Sequence, residues 1–164
     1  MAPKNSLSPL SLLKGTVAAT TIAFAASSFN AFAEEAQVIE LTQVNCQFVE
    51  SENGVNHGYS STEKADCDRI NEKTAEERLA SSKTIELKPG KYVFRVTNEN
   101  VEYPLGFYLR GESILDKVRL PKVSGGGLAL GVTKDYEITL EEGEYVYSCP
   151  LNSTPDYKLV VSKS

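Results

Sequence analysis

The stretch from Gly143 to Val161, GEYVYSCPLNSTPDYKLVV, constrains this chain more than any other. Gly143 closes a turn, and Tyr145, Tyr147 and Cys149 follow at every second position. Period two is the spacing of a strand, so the three side chains share one face. Pro150 has no N–H to give to a ladder, and the strand is predicted to end at Cys149. A short loop containing Pro155 then leads to a last alternating strand, Tyr157 to Val161.

The same grammar occurs upstream. Leu87-x-x-Gly90-x-Tyr92-x-Phe94 repeats Leu140-x-x-Gly143-x-Tyr145-x-Tyr147, which predicts two hairpins. Pro89-Gly90 suits a type II turn, whose third position takes positive φ. Tyr92, Phe94 and Val96 are expected to face a core, with Arg95 and Thr97 facing water. Ala36 to Val49 reads as strand, broken near Gln43 by a bulge or by division into two short strands. Val101 to Leu109 and Asp135 to Leu140 are further strands, and Leu115 to Val123 reads as irregular. Ser124-Gly125-Gly126-Gly127 reads as a hinge; no Lys-bearing helix follows, so it is not a phosphate cradle. Ser60 to Ser82 is charged and rich in helix formers. Thr74-x-x-Glu77 has the capping-box spacing, and Ile70, Ala75 and Leu79 are available to face the body, which predicts one or two short helical turns. Many short strands with these turns predict an all-β Greek-key sandwich of about seven or eight strands.

The G-x-Y-x-Y-x-C strand, ligand-type loop and closing strand resemble the C-terminal end of a cupredoxin, the plastocyanin/azurin type of domain. Val96 to Leu109, VTNENVEYPLGFYL, is similar to the segment that carries that family's upstream histidine. The resemblance implies a cupredoxin-like sandwich in which residues 50–82 are an insertion. In the family the loop reads C-x2-H-x4-M. Here Cys149 is kept, while Asn152 and Tyr157 stand at the His and Met positions and Leu105 follows Pro104 where the upstream His is expected. One of four ligand positions carries a ligand, so the copper site is degenerate.

Counting residues supports that conclusion independently. A type 1 centre needs two imidazoles and a thiolate, usually with a weak thioether. The chain has one histidine, His57, and one methionine, Met1. Nor is there an H-E-x-x-H, G-x-S-x-G or C-x-x-C, and the one imidazole lies in a polar loop far in sequence from Cys149, so no catalytic residues are assigned and the chain does not read as an enzyme. Glu50/Glu52 and Glu141/Glu142/Glu144 read as solvated turns. Asn152-Ser153-Thr154 matches a glycosylation acceptor.

The N-terminus reads as a signal peptide, residues 1–33. Lys4 and Lys14 precede or flank an apolar run, Gly15 to Ala26, too short to span a bilayer comfortably. Ala31-Phe32-Ala33 has the A-x-A form of a cleavage site; an uncleaved anchor is the alternative. Cleavage leaves one domain, 34–164, periplasmic or secreted, with no membrane span. Two lysines and no acids leave with the segment, taking the net charge from −5 to −7. Such a chain has no electrostatic footprint for nucleic acid, and a charged partner is expected to be basic.

Export also places the three cysteines where disulfides persist. Three cysteines allow other pairings; the one expected here joins Cys46 to Cys67 and leaves Cys149 a buried thiol. Two functions follow. In the first the chain is a copper-free binding module, its partner docking on an apolar patch of Leu105, Pro150, Leu151 and Tyr157 at the former metal end. In the second a rebuilt site holds a metal, copper among the candidates, through Cys149, with His57 if its loop folds over that end and an oxygen of Tyr157, Asp156 or Asn152, for electron transfer or copper handling.

Overall fold

Burial alternates regularly along residues 90–98 and 157–161, and in the computed structural model, which describes residues 35–163, the strands stack as two sheets. In chain order they are β1 Gln37–Val44, β2 Gln47–Phe48, β3 Ile85–Leu87, β4 Gly90–Asn98, β5 Leu105–Gly111, β6 Val123–Leu128, β7 Thr133–Leu140, β8 Gly143–Ser148 and β9 Tyr157–Val161. Two helices interrupt them, α1 Lys64–Ser81 and α2 Ile114–Arg119. One sheet has the order β2-β1-β4-β7 and the other β3-β9-β8-β5-β6. The pairs β1/β4 and β3/β9 are parallel and the rest antiparallel. This is the cupredoxin-like β-sandwich with a helical insertion that the closing residues imply. Residues 1–33, expected to be a signal peptide, lie outside the described residues. Among the described residues no helix is long and apolar enough to cross a membrane.

Tyr92, Phe94 and Val96 of β4 are buried as their spacing predicts, against Phe107 and Leu109 of β5 and Tyr145 and Tyr147 of β8. Aromatic pairs knit the two sheets: Phe94 stacks on Phe107 at 5.5 Å, and Phe48 meets Tyr147 edge-on at 5.6 Å. Each such ring contributes on the order of 1.5–3 kcal/mol of burial. Arg95 faces water beside Asp135, Nε to Oδ1 2.8 Å.

The two predicted hairpins are not hairpins. β3 and β4 lie in different sheets, as do β7 and β8. Alternation says which way a side chain faces but not which sheet its strand joins, so a turn that carries the chain between sheets has the same sequence signature. The glycine run is not a hinge either. It is β6, an edge strand on β5. A Cβ on Gly106 would stand 2.8 Å from the Gly125 carbonyl oxygen, and one on Gly125 would stand 2.8 Å from the Tyr136 ring. The glycines permit close approach of backbones and ring, and with no side chains they leave no period to read. Part of the segment expected to be irregular is α2, capped by Ser113, whose Oγ accepts from the Asp116 N–H at 3.0 Å.

The insertion is one helix of 18 residues, not one or two turns. Its capping box is Glu63 with Asp66, and Thr74 sits mid-helix with its hydroxyl on the Ile70 carbonyl, 2.9 Å. Only Cys67 and Arg78 of α1 are fully buried. They are eleven residues apart, three turns, so they share a face with Asn71 and Thr74. The helix is held by a polar stripe rather than an apolar one. Cys67 fixes its start through a disulfide to Cys46, a cross-link worth on the order of 3 kcal/mol for a loop of this length.

Candidate functional site at the Cys149 end

β8 delivers Cys149 into the core as a free, fully buried thiol. Its sulfur accepts the N–H of Gly106 at 3.3 Å and of Asn152 at 3.2 Å. Thr154 fixes the loop below it: the Cys149 N–H donates to the Thr154 Oγ1 at 2.9 Å, and the Thr154 N–H donates back to the Cys149 carbonyl at 3.3 Å. Burial pushes the thiol up, although backbone N–H groups of Gly106, Asn152 and Leu151 act the other way. The sulfur therefore stays protonated at neutral pH, the form that is neither nucleophile nor metal ligand.

The three other ligand positions are committed to structure. Leu105 is a core residue with no exposed surface. Asn152 is also fully buried, and it clamps the turn between β1 and β2. Its Oδ1 accepts the Cys46 N–H at 3.0 Å and the Tyr103 hydroxyl at 3.2 Å, while its Nδ2 donates to the Val44 carbonyl at 2.7 Å. Cys46 at φ 66° is left-handed backbone, uncommon for a residue with a Cβ. Asn152 and the disulfide hold that turn from two sides. Buried in this way, the Asn152 amide is not open to glycosylation in the folded protein.

Tyr157 is held by a different set of groups. Its hydroxyl donates to Glu52 and lies 3.4 Å from Arg78 Nη2. His57 is drawn to the same carboxylate, Nε2 to Oε2 2.6 Å, and stacks on Tyr59 at 5.4 Å. The polar side-chain atoms proposed as ligands in His57, Asn152 and Tyr157 are thus each bonded elsewhere than to Cys149. No group of three His, Cys, Asp or Glu among the described residues is placed to hold a metal. The residues present do not fit a type 1 copper.

The proposed patch changes shape as well. Leu105 and Tyr157 have no exposed surface, because one fills the core and the other closes the Glu52 cluster. Pro150 and Leu151 do reach the surface, Leu151 at 46 %. They border a shallow, mainly apolar groove of about 490 Å³ shared with Phe107, Tyr108, Lys122 and Gly125. The surface at this end runs along β5 and β6 rather than over the sulfur.

The sequence missed a second buried constellation. Glu52, read as a solvated turn residue, is 5 % exposed, as is Arg78. Arg78 Nη2 bonds the Glu52 Oε1 at 2.7 Å and Nε lies 3.1 Å from both carboxylate oxygens, a forked pair. The same guanidinium donates to the Cys46 carbonyl at 2.9 Å and to Asn71 Oδ1 at 2.7 Å. Burial pushes the Glu52 carboxyl up, but hydrogen bonds from Arg78, Tyr157 and His57 outweigh it and hold the group below its ordinary value. The signal that would have found it was the 4-3-4 spacing of Cys67, Asn71, Thr74 and Arg78. Every member is polar or sulfur-bearing, so a search for apolar periodicity passes over it.

A lowered carboxyl contributes stability that is complete above its unfolded pKa and disappears as pH falls through the folded value. The urea midpoint is therefore expected to fall as pH drops from about 4.5, the ordinary value of Glu52, through that folded value. In Glu52→Gln the acid sensitivity is expected to shrink, leaving only what surface groups such as Asp66 and Asp135, also held low by hydrogen bonds, supply. Urea titrations of both proteins across this range measure the difference.

No protein-family model matches this chain, and no curated protein does. Among solved structures it is similar to auracyanin B, at 13% identity over 77% of this chain and 89% of that one, with a TM-score of 0.46. Reduced auracyanin from Roseiflexus castenholzii is 11% identical over 77% and 98% of the two chains, TM-score 0.43. Auracyanin A, a "blue" copper protein from Chloroflexus aurantiacus, is 15% identical over 78% and 100%, TM-score 0.38.

Proposed function

We propose that this chain is an exported, periplasmic or secreted binding module on a cupredoxin-like sandwich, without a type 1 copper site and without enzymatic activity. Its partner docks at the end of the sandwich that holds Cys149. The observation that carries this reading is the fate of the ligand positions. Leu105 packs the core, Asn152 clamps the β1–β2 turn and Tyr157 closes the Glu52–Arg78 pair. What that end offers to another molecule is the Pro150–Leu151 loop and the apolar groove beside it, the kind of exposed patch that marks an interface. The acidic balance of the chain favours a basic partner.

The test is site-directed photo-crosslinking in the native host, with the crosslinker at Leu151 or at Glu137 on the outer face of β7. Leu151 is expected to give one discrete adduct with a basic exported protein, and Glu137 none. Equal labelling from both positions, or none from either, would end the proposal.

One observation favours the metal reading: Cys149 is a free thiol with two N–H donors aimed at its sulfur, an arrangement that also suits a thiolate. On that reading Cys149 is the sole surviving ligand and copper the metal, for electron transfer or copper handling. The sulfur then has to lose a proton that its burial retains.

A further inference from the structure

Two sheet edges are left open along one cleft. In the four-stranded sheet β2 covers only Gln43 and Val44 of β1, and Thr42 is bonded to Val49 and Glu50, so Gln37–Leu41 is paired on one side, with β4. In the other sheet β3 is the outermost strand and pairs only with β9. The bonds at the strand ends show which groups face outward. The Gln43 carbonyl accepts from the Glu99 N–H at 3.0 Å, on the β4 side, whereas the Thr42 carbonyl accepts from the Val49 N–H at 3.0 Å, on the other. Successive residues of a strand point their backbone groups in opposite directions. Val38 and Glu40 therefore turn both N–H and C=O away from β4. On β3 the Leu87 carbonyl accepts from Ser162 on the β9 side, so Glu86 is the residue that faces out.

A cleft of about 340 Å³ lies between these edges. Ile39, Ile85 and Tyr147 contribute apolar surface to it, and the two isoleucines are only partly buried. Around them stand Glu40, Glu50 and Glu86 against one cation, Lys83. The Glu50 carboxylate already accepts the Thr42 N–H at 2.7 Å, and Glu40 lies across from Arg95 of β4, whose guanidinium is itself bonded to Asp135, while Glu86 makes no ion pair among the described residues. A row of outward backbone donors and acceptors, an apolar floor and an acidic rim specify an extended chain with basic side chains.

We propose that this cleft takes an extended, basic peptide segment as a strand added to the β1 edge. Val38 and Glu40 supply the backbone hydrogen bonds, a small apolar side chain rests on Ile39 and Ile85, and Glu40 and Glu86 meet the flanking Lys or Arg. The cleft lies on the flank between β1 and β3, so this inference and the docking surface at the Cys149 end stand or fall separately. The competing account is that the edge carboxylates only keep other chains off, as charges on open edges commonly do.

The experiment titrates the full chain, followed by amide NMR, with a capped peptide of alternating Lys and Val, with its Glu–Val counterpart, and with a Lys-containing version whose valines are replaced by Pro. The proline peptide keeps the charge, loses every second N–H and fixes φ at those residues at about −65°, away from strand values. The Lys–Val peptide is expected to bind with shifts centred on Val38–Thr42 and Glu86. The proline peptide and the double variant Glu40→Lys/Glu86→Lys are each expected to bind roughly tenfold more weakly or worse, and Leu151→Lys to bind as the parent does. Equal binding of the proline peptide would mean charge attraction alone and would overturn the proposal. So would shifts centred elsewhere, preference for the Glu–Val peptide, no binding, or closure of the edge by a second copy of the chain.

Discussion

Arg78→Met is expected to destabilise the fold by about 3–5 kcal/mol, the usual consequence of stranding one half of a buried ion pair. Glu52 is only 5 % exposed, and its carboxylate would keep the Tyr157 and His57 contacts but lose the forked guanidinium. The Cys46 carbonyl and the Asn71 amide would lose a donor as well. The loss falls on α1 in particular, because that helix is tied to the body by the Cys67 disulfide at one end and by Arg78 near the other. The double variant Glu52→Gln/Arg78→Met removes the stranded charge and should recover part of the loss. Urea melts of the single and double variants compare the two directly. A single variant within about 1 kcal/mol of the parent, the range of an exposed ion pair, would mean that the pair is not buried in solution.

Leu105→Ala is expected to cost about 2–5 kcal/mol, as deletions of core leucines do. Leu105 opens β5, pairs with Leu128 of β6 and has no exposed surface. The next residue, Gly106, gives its N–H to the Cys149 sulfur, so a cavity at Leu105 sits one residue from the thiol. The magnitude separates two roles for the position. A leucine exposed in a docking patch would cost no more than about 0.5 kcal/mol on truncation, and its loss would show in partner binding instead. Denaturant midpoints at constant m-value decide between them.

The strands could be read from the sequence because their side chains alternate. Tyr92, Phe94, Val96, Tyr145 and Tyr147 are buried where period two puts them, and β8 ends at Ser148, one residue before the Cys149 at which Pro150 is expected to stop it. The Cys46–Cys67 bridge is the pairing expected if the chain is exported. Three other features had no such signal. The side of a strand that faces inward does not identify its sheet, so the two turns between sheets read as hairpins. β6 carries glycine where a strand pattern needs side chains. The buried face of α1 is polar, and Glu52 lies 26 residues before the arginine that buries it. Asn152 and Tyr157 illustrate the limit at the site itself. Both were visible as absent ligands, but their partners, the Cys46 turn and the Glu52 carboxylate, lie more than 100 residues away.

The proposed role of Leu105, Asn152 and Tyr157 is packing and hydrogen bonding rather than metal binding. Its most direct test is Cu(II) titration of the metal-free chain, its Cys46–Cys67 disulfide intact and Cys149 a free thiol, with absorption spectra and bound copper measured after dialysis. The account predicts a colourless protein that retains no stoichiometric copper, because Leu105, Asn152 and Tyr157 leave the sulfur without companions. One copper per chain, with an intense thiolate-to-copper band that is lost in Cys149→Ser, would contradict it.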